Sequence, residues 1–295
     1  MSSVKKIDDY LHVPEDGQDW RESYYFNFVD PENETSGFTT IGILPNQKKG
    51  EFILALFHRD KLNIYYKEQP LQNIESSSLL SNGTLTYRLV EPLQKWDISV
   101  VNENFDVRLK WEARFKPFDF GKGSGTSWKG HFEQSGVIEG EAVFSGARKI
   151  RIRGYSQRDK SWGARDWFIE SWFALHAQFA TYVVGLRKDN VNGASYVSGG
   201  VSSTDKQTAS SQVDLQINFD QGINPVGAST TIHYDDGRTD TLISRLISPR
   251  SFFKFSRSFP RGTTELYEGM ALHESVTTGE KGTGLIEFLF THPKA

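Results

Sequence analysis

The chain has 295 residues, of which 37% are hydrophobic and 24% charged, and a formal net charge of −3, so it suits one or two globular domains and has no charge excess to attract nucleic acid or an anionic membrane. It contains no cysteine, which excludes disulfides and thiol chemistry and fits a reducing compartment. Because no apolar run approaches the roughly 18 residues of a membrane span and the first residues lack the apolar core of a secretion signal, we predict a cytoplasmic protein.

Short apolar or alternating segments, separated by turn residues, follow one another along the first half of the chain. Residues 1–19 are polar and are predicted to be a mobile lead-in. Residues 105–115 alternate strictly, which places Val107, Leu109 and Trp111 on one face of a strand. The predicted strands of this half are residues 20–30, 38–44, 51–59, 62–67, 84–89, 96–101, 105–115, 131–134, 140–144 and 149–154.

The centre of the chain carries a dense group of charged and aromatic residues. These are Arg158, Asp159, Lys160, Trp162, Arg165, Asp166 and Trp167. On a strand, Asp159 and Ser161 share one face while Arg158 and Lys160 share the other. We expect Gly163 to interrupt this alternation, so that the second Arg-Asp pair turns toward the first.

Strand segments continue after this central stretch, and a faint internal repeat indicates two halves. Residues 20–26 and 167–173 both contain Trp, then Glu-Ser, then aromatic residues. We therefore predict an all-β fold, either barrels or a large sandwich, with halves at 1–150 and 151–295. The later predicted strands are residues 180–186, 195–202, 213–219, 228–234, 240–247, 252–259, 262–273 and 282–291.

The charged residues of the central stretch allow two interpretations. Buried Arg-Asp pairs often tie structural layers together, and such ion-pair networks resemble functional sites. A carboxyl group beside indole rings, however, has a raised pKa because burial disfavours its charged form, and it then becomes a usable acid. His131 and Glu133 share a strand face that is either an exposed polar surface or part of the same site. His176 is either a core histidine or a functional one.

Several classes of site lack their signature in this sequence. The seven histidines show no close metal-binding spacing, and neither a phosphate loop nor a dinucleotide fingerprint is present. There is also no G-x-S-x-G nucleophile elbow. We therefore expect neither a metal nor a cofactor.

Three segments resemble a known family. They are residues 20–26, residues 131–134 and, above all, residues 157–167, which read Gln-Arg-Asp-Lys-Ser-Trp-Gly-Ala-Arg-Asp-Trp. They are similar to a bacterial group of domains with the motif R-D-H-S-W-G-x-R-D-W. That group is distantly related to the hydroxyneurosporene synthase (carotenoid hydratase) and AttH-like superfamily. The resemblance covers most of the chain.

The resemblance implies two lipocalin-like antiparallel β-barrels packed side by side, with an apolar pocket. Better-known relatives include carotenoid hydratases and fungal cyclases, which act on long isoprenoid or polyene substrates. Lys160 stands where the family pattern has His. A lysine can take over proton transfer near neutral pH only if burial lowers its pKa.

Together these patterns favour a cofactor-free cyclase, hydratase or isomerase that protonates an apolar, isoprenoid-like substrate. One of the two central aspartates would donate the proton, and aromatic faces would stabilise the carbocation. The alternatives are a carrier of an apolar small molecule and a structural interaction module. The candidate catalytic residues are Asp159, Asp166, Arg158 and Lys160. The candidate substrate-binding residues are Trp128, His131, Glu133, Trp162, Arg165, Trp167, Trp172, Phe173, His176 and Tyr267.

Overall fold

The structure is a computed structural model that describes residues 3–59, 61–71, 78–121, 128–144 and 148–294. Strands make up 71% of it and helix 3%, which confirms the all-β prediction. The helical part consists of short 3₁₀ segments, Lys6–Asp9 and Pro45–Gln47. None of the described residues forms a helix of the length and apolarity that crossing a membrane requires.

The chain divides into two compact units. Unit 1 comprises Met1–Asp119 and Trp128–Arg165, and unit 2 comprises Phe120–Ser127 and Asp166–Ala295. The chain passes from unit 1 into the main part of unit 2 between Arg165 and Asp166, whereas the boundary predicted from the sequence lies near residue 150. The difference arises because the strand that begins at residue 150 pairs on both sides with strands of unit 1.

Unit 1 is built from one antiparallel sheet that curls into a half-barrel. Its described strands are β1 (Trp20–Asp30), β2 (Thr35–Leu44), β3 (Lys49–His58), β4 (Lys61–Pro70), β5 (Leu79–Ser81), β6 (Leu85–Glu91), β7 (Lys95–Val101), β8 (Phe105–Ala113), β9 (Phe118–Asp119), β10 (Gly130–Phe144) and β11 (Ile150–Ala164). Their order is β4-β3-β2-β1-β11-β10-β8-β7-β6-β5, and β9 pairs with β10. The first strand therefore lies next to the last.

Two segments predicted as separate strands join in β10. The sequence suggests a break between residues 134 and 140, where two glycines occur. At Gly140, however, an added Cβ would lie 2.0 Å from the carbonyl oxygen of Arg108. Glycine at this position permits close approach of β8 rather than ending the strand. In β8 the predicted alternation is confirmed, because Val107, Leu109 and Trp111 are all buried in the core of unit 1.

Unit 2 contains a sheet of nine strands, eight of which form a closed barrel, while β18 lies outside the ring and pairs with β19. The nine strands are β12 (Ser171–Gln178), β13 (Tyr182–Val191), β14 (Ala194–Ser203), β15 (Gln207–Asp220), β16 (Asn224–Tyr234), β17 (Thr239–Leu246), β18 (Phe252–Phe259), β19 (Gly262–Ser275) and β20 (Lys281–Pro293). Their order is β17-β16-β15-β14-β13-β12-β20-β19-β18, and pairing of β17 with β19 closes the barrel. As in unit 1, the first strand pairs with the last.

A buried histidine lies at the closing pair of this barrel. His273 of β19 is directly opposite Ser244 of β17, and its Nδ1 lies 2.8 Å from the Ser244 hydroxyl. Burial lowers the pKa of His273 to about 3. The unfolded chain therefore takes up a proton near the ordinary value of 6.5, whereas the folded chain does not. This difference in proton uptake contributes stability that is fully present above pH 6.5 and declines as the pH falls toward 3.

Acidification from about pH 7 to about pH 5 should accordingly destabilise the fold by about 2 kcal/mol through His273 alone. Urea unfolding at the two pH values measures this loss. In His273→Gln this part of the pH dependence should disappear. The matched control is His233→Gln, because His233 is an exposed histidine of the same unit. An unchanged pH dependence in His273→Gln would contradict the prediction.

Candidate functional site

The central stretch lies on β11, whose two faces have different surroundings. Residues directly opposite each other in antiparallel strands share a face. Arg158 and Lys160 lie opposite Phe26 and Tyr24 of β1, which belong to the core of unit 1. Asp159 points to the other face and lies opposite Glu133 of β10. The adjacent Arg158 and Asp159 therefore have separate partners.

On the second face, His131, Glu133 and Asp159 form what we call the acid–histidine cluster. His131 Nε2 lies 2.7 Å from Asp159 Oδ2 and 3.8 Å from Glu133 Oε1. The side chains of His131 and Glu133 are 3% and 8% exposed, whereas that of Asp159 is 26% exposed. The Trp128 ring packs edge-on against the imidazole at 4.6 Å between centroids. Asp159 is thus the member of the cluster most open to an incoming molecule.

This geometry permits two kinds of chemistry. An imidazole hydrogen-bonded to a carboxylate can pass a proton to a substrate and recover it, and a second carboxylate nearby can accept one. One ligand atom from each residue also lies within 4.8 Å of the others, so the same residues could hold a divalent cation. The sequence shows no metal-binding spacing for these residues because they come from two strands.

Lys160 lies on the inner face in a buried ion pair with Glu22. Its ammonium group is 4.3 Å from the centre of the Tyr24 ring and 5.3 Å from that of Trp162. Burial lowers the pKa of Lys160, and the charge of Glu22 opposes that effect. Burial alone would raise the pKa of Glu22, but Lys160 and a hydrogen bond from His12 leave it lowered.

The N-terminal segment packs against the inner face and supplies the partner of Arg158. His12 stacks on Trp162 with 3.9 Å between ring centroids and hydrogen-bonds to Glu22. Asp9, at the end of the first 3₁₀ helix, is fully buried and pairs with Arg158. The prediction of a mobile lead-in is therefore wrong for residues 5–12. The local sequence gave no sign of this order, because Asp9 and its partner Arg158 are 149 positions apart.

The second Arg-Asp pair does not repeat the first. Arg165 donates a hydrogen bond to Ser161 Oγ, so its guanidinium reaches the face of β11 that carries Asp159. Asp166 is exposed and lies 3.4 Å from Arg261, and both residues belong to unit 2. Gly163 has φ +128°, and a Cβ there would lie 2.4 Å from the backbone of Lys129. The pairing of β1 and β11 nevertheless continues through this glycine.

The remaining predicted residues belong to unit 2. Phe173 and Tyr267 lie in the core of its barrel, and the Tyr267 hydroxyl donates to Glu265. Trp167 and Trp172 pack together at 5.6 Å between centroids. His176 is buried on β12. Within unit 1 the structure brings together His131, Glu133, Asp159 and Trp128 on one face, and Lys160 and Trp162 on the other.

Unit 2 has its own pair of opposing acids, which the sequence analysis did not single out. Glu268 of β19 lies directly opposite Glu287 of β20. In unit 1, Glu133 and Asp159 likewise face each other across the last two strands. Trp172 donates its indole N–H to Glu287 at 2.5 Å, and the Arg187 guanidinium lies 4.0 Å above the Trp172 ring. The faint sequence repeat thus has a counterpart in strand order and acid placement.

Comparison with known proteins identifies the family of the chain. A family described as a domain of unknown function, DUF7064, matches residues 5–291. The chain belongs to this family. A search of curated proteins gave no match.

Three solved structures with the same architecture align with more than nine-tenths of this chain. A candidate AttH from Nitrosomonas europaea is 12% identical with a TM-score of 0.73, over 98% of this chain and 96% of that one. CghA in complex with Sch210972 is 10% identical with a TM-score of 0.66, over 99% and 96%. Kievitone hydratase from Nectria haematococca is 11% identical with a TM-score of 0.66, over 91% and 88%. The predicted two-barrel, lipocalin-like fold is confirmed, and with it the likeness to AttH-type proteins at the level of fold.

Proposed function

We propose that this family member is a hydratase-like enzyme of the lyase type that acts on an apolar small molecule. The observation that carries the proposal is the part-buried His131–Asp159 hydrogen bond of 2.7 Å, with Glu133 beside it and the Trp128 ring packed against the imidazole. A solved protein of the same fold is named a hydratase, which supports water addition or removal as a reaction that this architecture accommodates.

The reaction would proceed through proton transfer to and from the acid–histidine cluster. The protonated His131–Asp159 pair gives its proton to one carbon of a double bond, and a carbocation forms at the other carbon. The oxygen of a water molecule bonds to that carbocation, and the extra proton of the water passes to a carboxylate of the cluster. The cluster is restored and one water has been added. The reverse sequence is dehydration.

The substrate class follows from what such a cation requires. An isoprenoid or polyene chain places its charge on a substituted carbon, and an indole face stabilises a nearby cation. Trp128 is an aromatic ring in contact with His131 of the cluster, and we propose it for this role. The steps described need only side chains of this chain, and loss of a proton in place of water addition would give an isomerase or cyclase on the same residues.

Labelled water tests the proposal. Native mass spectrometry of the purified protein, followed by organic extraction, identifies a co-purified apolar molecule. That molecule and its alkene analogues are then incubated with the protein in ¹⁸O-labelled water. We expect a product that has gained one labelled water, or the corresponding dehydration when the alcohol is supplied.

Two outcomes would contradict this assignment. Release of a bound molecule unchanged, with no ¹⁸O incorporated, would identify a carrier instead. Turnover that disappears with a chelator and returns with an added cation would transfer the chemistry from the proton pair to a metal held by the same three residues.

A further inference from the structure

Three donor nitrogens at and around Arg158 have no hydrogen-bond acceptor within the part of the chain that the structure describes. They are Nη2 of Arg158 and the indole nitrogens of Trp96 and Trp111. All three side chains are almost fully buried. A buried donor without an acceptor is strongly unfavourable, and each such group in a folded protein requires an explanation. An oxygen atom supplied from outside the chain would satisfy them.

The three donors belong to one small region of the inner face of unit 1. The Arg158 guanidinium carbon lies 5.3 Å from the centre of the Trp111 ring and 5.9 Å from that of Trp96. Trp96 and Trp111 are directly opposite each other on β7 and β8. Phe26 packs edge-on against both indoles. The side chains that carry these donors are therefore in contact with one another and with the Phe26 ring.

A glycine of β10 helps to set this arrangement. At Gly136 an added Cβ would lie 2.4 Å from Cε2 of Trp111, the carbon bonded to the indole nitrogen. Any larger residue would push that edge of the ring away. Glycine at this position thus lets the indole lie against β10, with its N–H in the same region as Arg158.

The charges of the region favour a neutral ligand. Arg158 uses Nη1 to bind the buried carboxylate of Asp9 and Nε to bind Gln134 Oε1. Its positive charge is thus already matched, and an additional anion would leave a net negative charge in a buried region. The groups that remain are all donors. They suit an oxygen that accepts hydrogen bonds without carrying charge.

We propose that the inner face of unit 1 binds the carbonyl oxygen of a neutral, apolar molecule, held by Arg158 Nη2 and the indole N–H groups of Trp96 and Trp111. This ligand site goes beyond the proposed function. It lies on the face of β11 opposite the acid–histidine cluster, since Arg158 and Asp159 are consecutive residues of one strand. The two sites can therefore be tested separately.

The first test is binding of prodan, a neutral naphthyl ketone whose emission reports the surroundings of its carbonyl group. Saturable binding is expected in the wild-type protein, and the matched naphthalene without the ketone should bind more weakly. Trp96→Phe/Trp111→Phe keeps aromatic rings but removes two donors, and should weaken prodan binding by roughly 10-fold or more.

A matched control removes another buried indole N–H that lies elsewhere. The Trp20 nitrogen also has no acceptor among the described residues. Trp20 is six positions along β1 from the residue opposite Arg158, or roughly 20 Å away. Trp20→Phe should leave prodan binding unchanged. Equal prodan binding in Trp96→Phe/Trp111→Phe and wild type would overturn the proposal.

A second measurement avoids reliance on a variant that folds poorly. In wild-type protein labelled with ¹⁵N-tryptophan, prodan should shift the indole N–H resonances of Trp96 and Trp111 and leave that of Trp20 in place. Prodan that leaves all three resonances unchanged would mean that these donors hold only trapped water, and the ligand site would be refuted.

Discussion

Replacing Asp159 with asparagine is expected to lower turnover by about 100-fold or more, in the range found when a positioned acid or base is removed. The amide keeps the shape of the carboxyl group but cannot take up or release the proton shared with His131. The measurement is kcat and KM on the molecule identified by the labelled-water experiment, and the loss should fall mainly on kcat. His131→Gln should cause a comparable loss.

An exposed aspartate–histidine pair provides the control for this experiment. Asp214 and His233 are separated by 3.1 Å on the surface of unit 2. Asp214→Asn should keep wild-type turnover, which shows that loss of an Asp–His contact is harmful only in the acid–histidine cluster. Asp166→Asn tests the second acid candidate from the sequence. Turnover that survives Asp159→Asn but is lost in Asp166→Asn would contradict our assignment.

Replacing Lys160 with methionine is expected to reduce the free energy of unfolding by about 3–5 kcal/mol. Methionine fills a similar volume but leaves the carboxylate of Glu22 buried without its ammonium partner. Desolvation of that uncompensated charge is the main cost. Urea unfolding monitored by tryptophan fluorescence measures the change. This prediction concerns stability alone and does not depend on the proposed reaction.

Two further variants separate the unpaired charge from loss of packing. Lys160→Met/Glu22→Gln removes both charges and should recover most of the lost stability. Lys206→Met removes the ammonium group of an exposed pair with Asp236 and should cost less than about 1 kcal/mol. A stability of Lys160→Met equal to that of wild type would show that the buried pair contributes little to the fold.

The site could be predicted only in part. Alternation along a strand correctly separates Arg158 and Lys160 from Asp159, and it places His131 and Glu133 on one face. It does not reveal that Glu133 lies opposite Asp159, because strand register depends on the whole sheet. Arg158 and Asp159, although adjacent in sequence, do not pair with each other, because neighbours on a strand point in opposite directions.

Local sequence patterns could not predict the ion-pair partners of Arg158 and Lys160. Glu22 lies 138 positions from Lys160, and Asp9 belongs to a polar segment with no apolar period. The predicted boundary near residue 150 assigned the whole central stretch to the second half of the chain. It took no account of β11, which must return beside β1 to complete the sheet of unit 1.

The amino-acid sequence by itself determined that this protein is all-β, where most of its strands run, and which residues share a face, because side-chain alternation is a property of the local chain. Only the tertiary structure decided which charges meet. A charged side chain on a strand is stabilised by whatever group lies across from it, and strand pairing brings that group from far along the chain. The separation of the acid–histidine cluster from the buried cations Arg158 and Lys160, on the two faces of one strand, is the result.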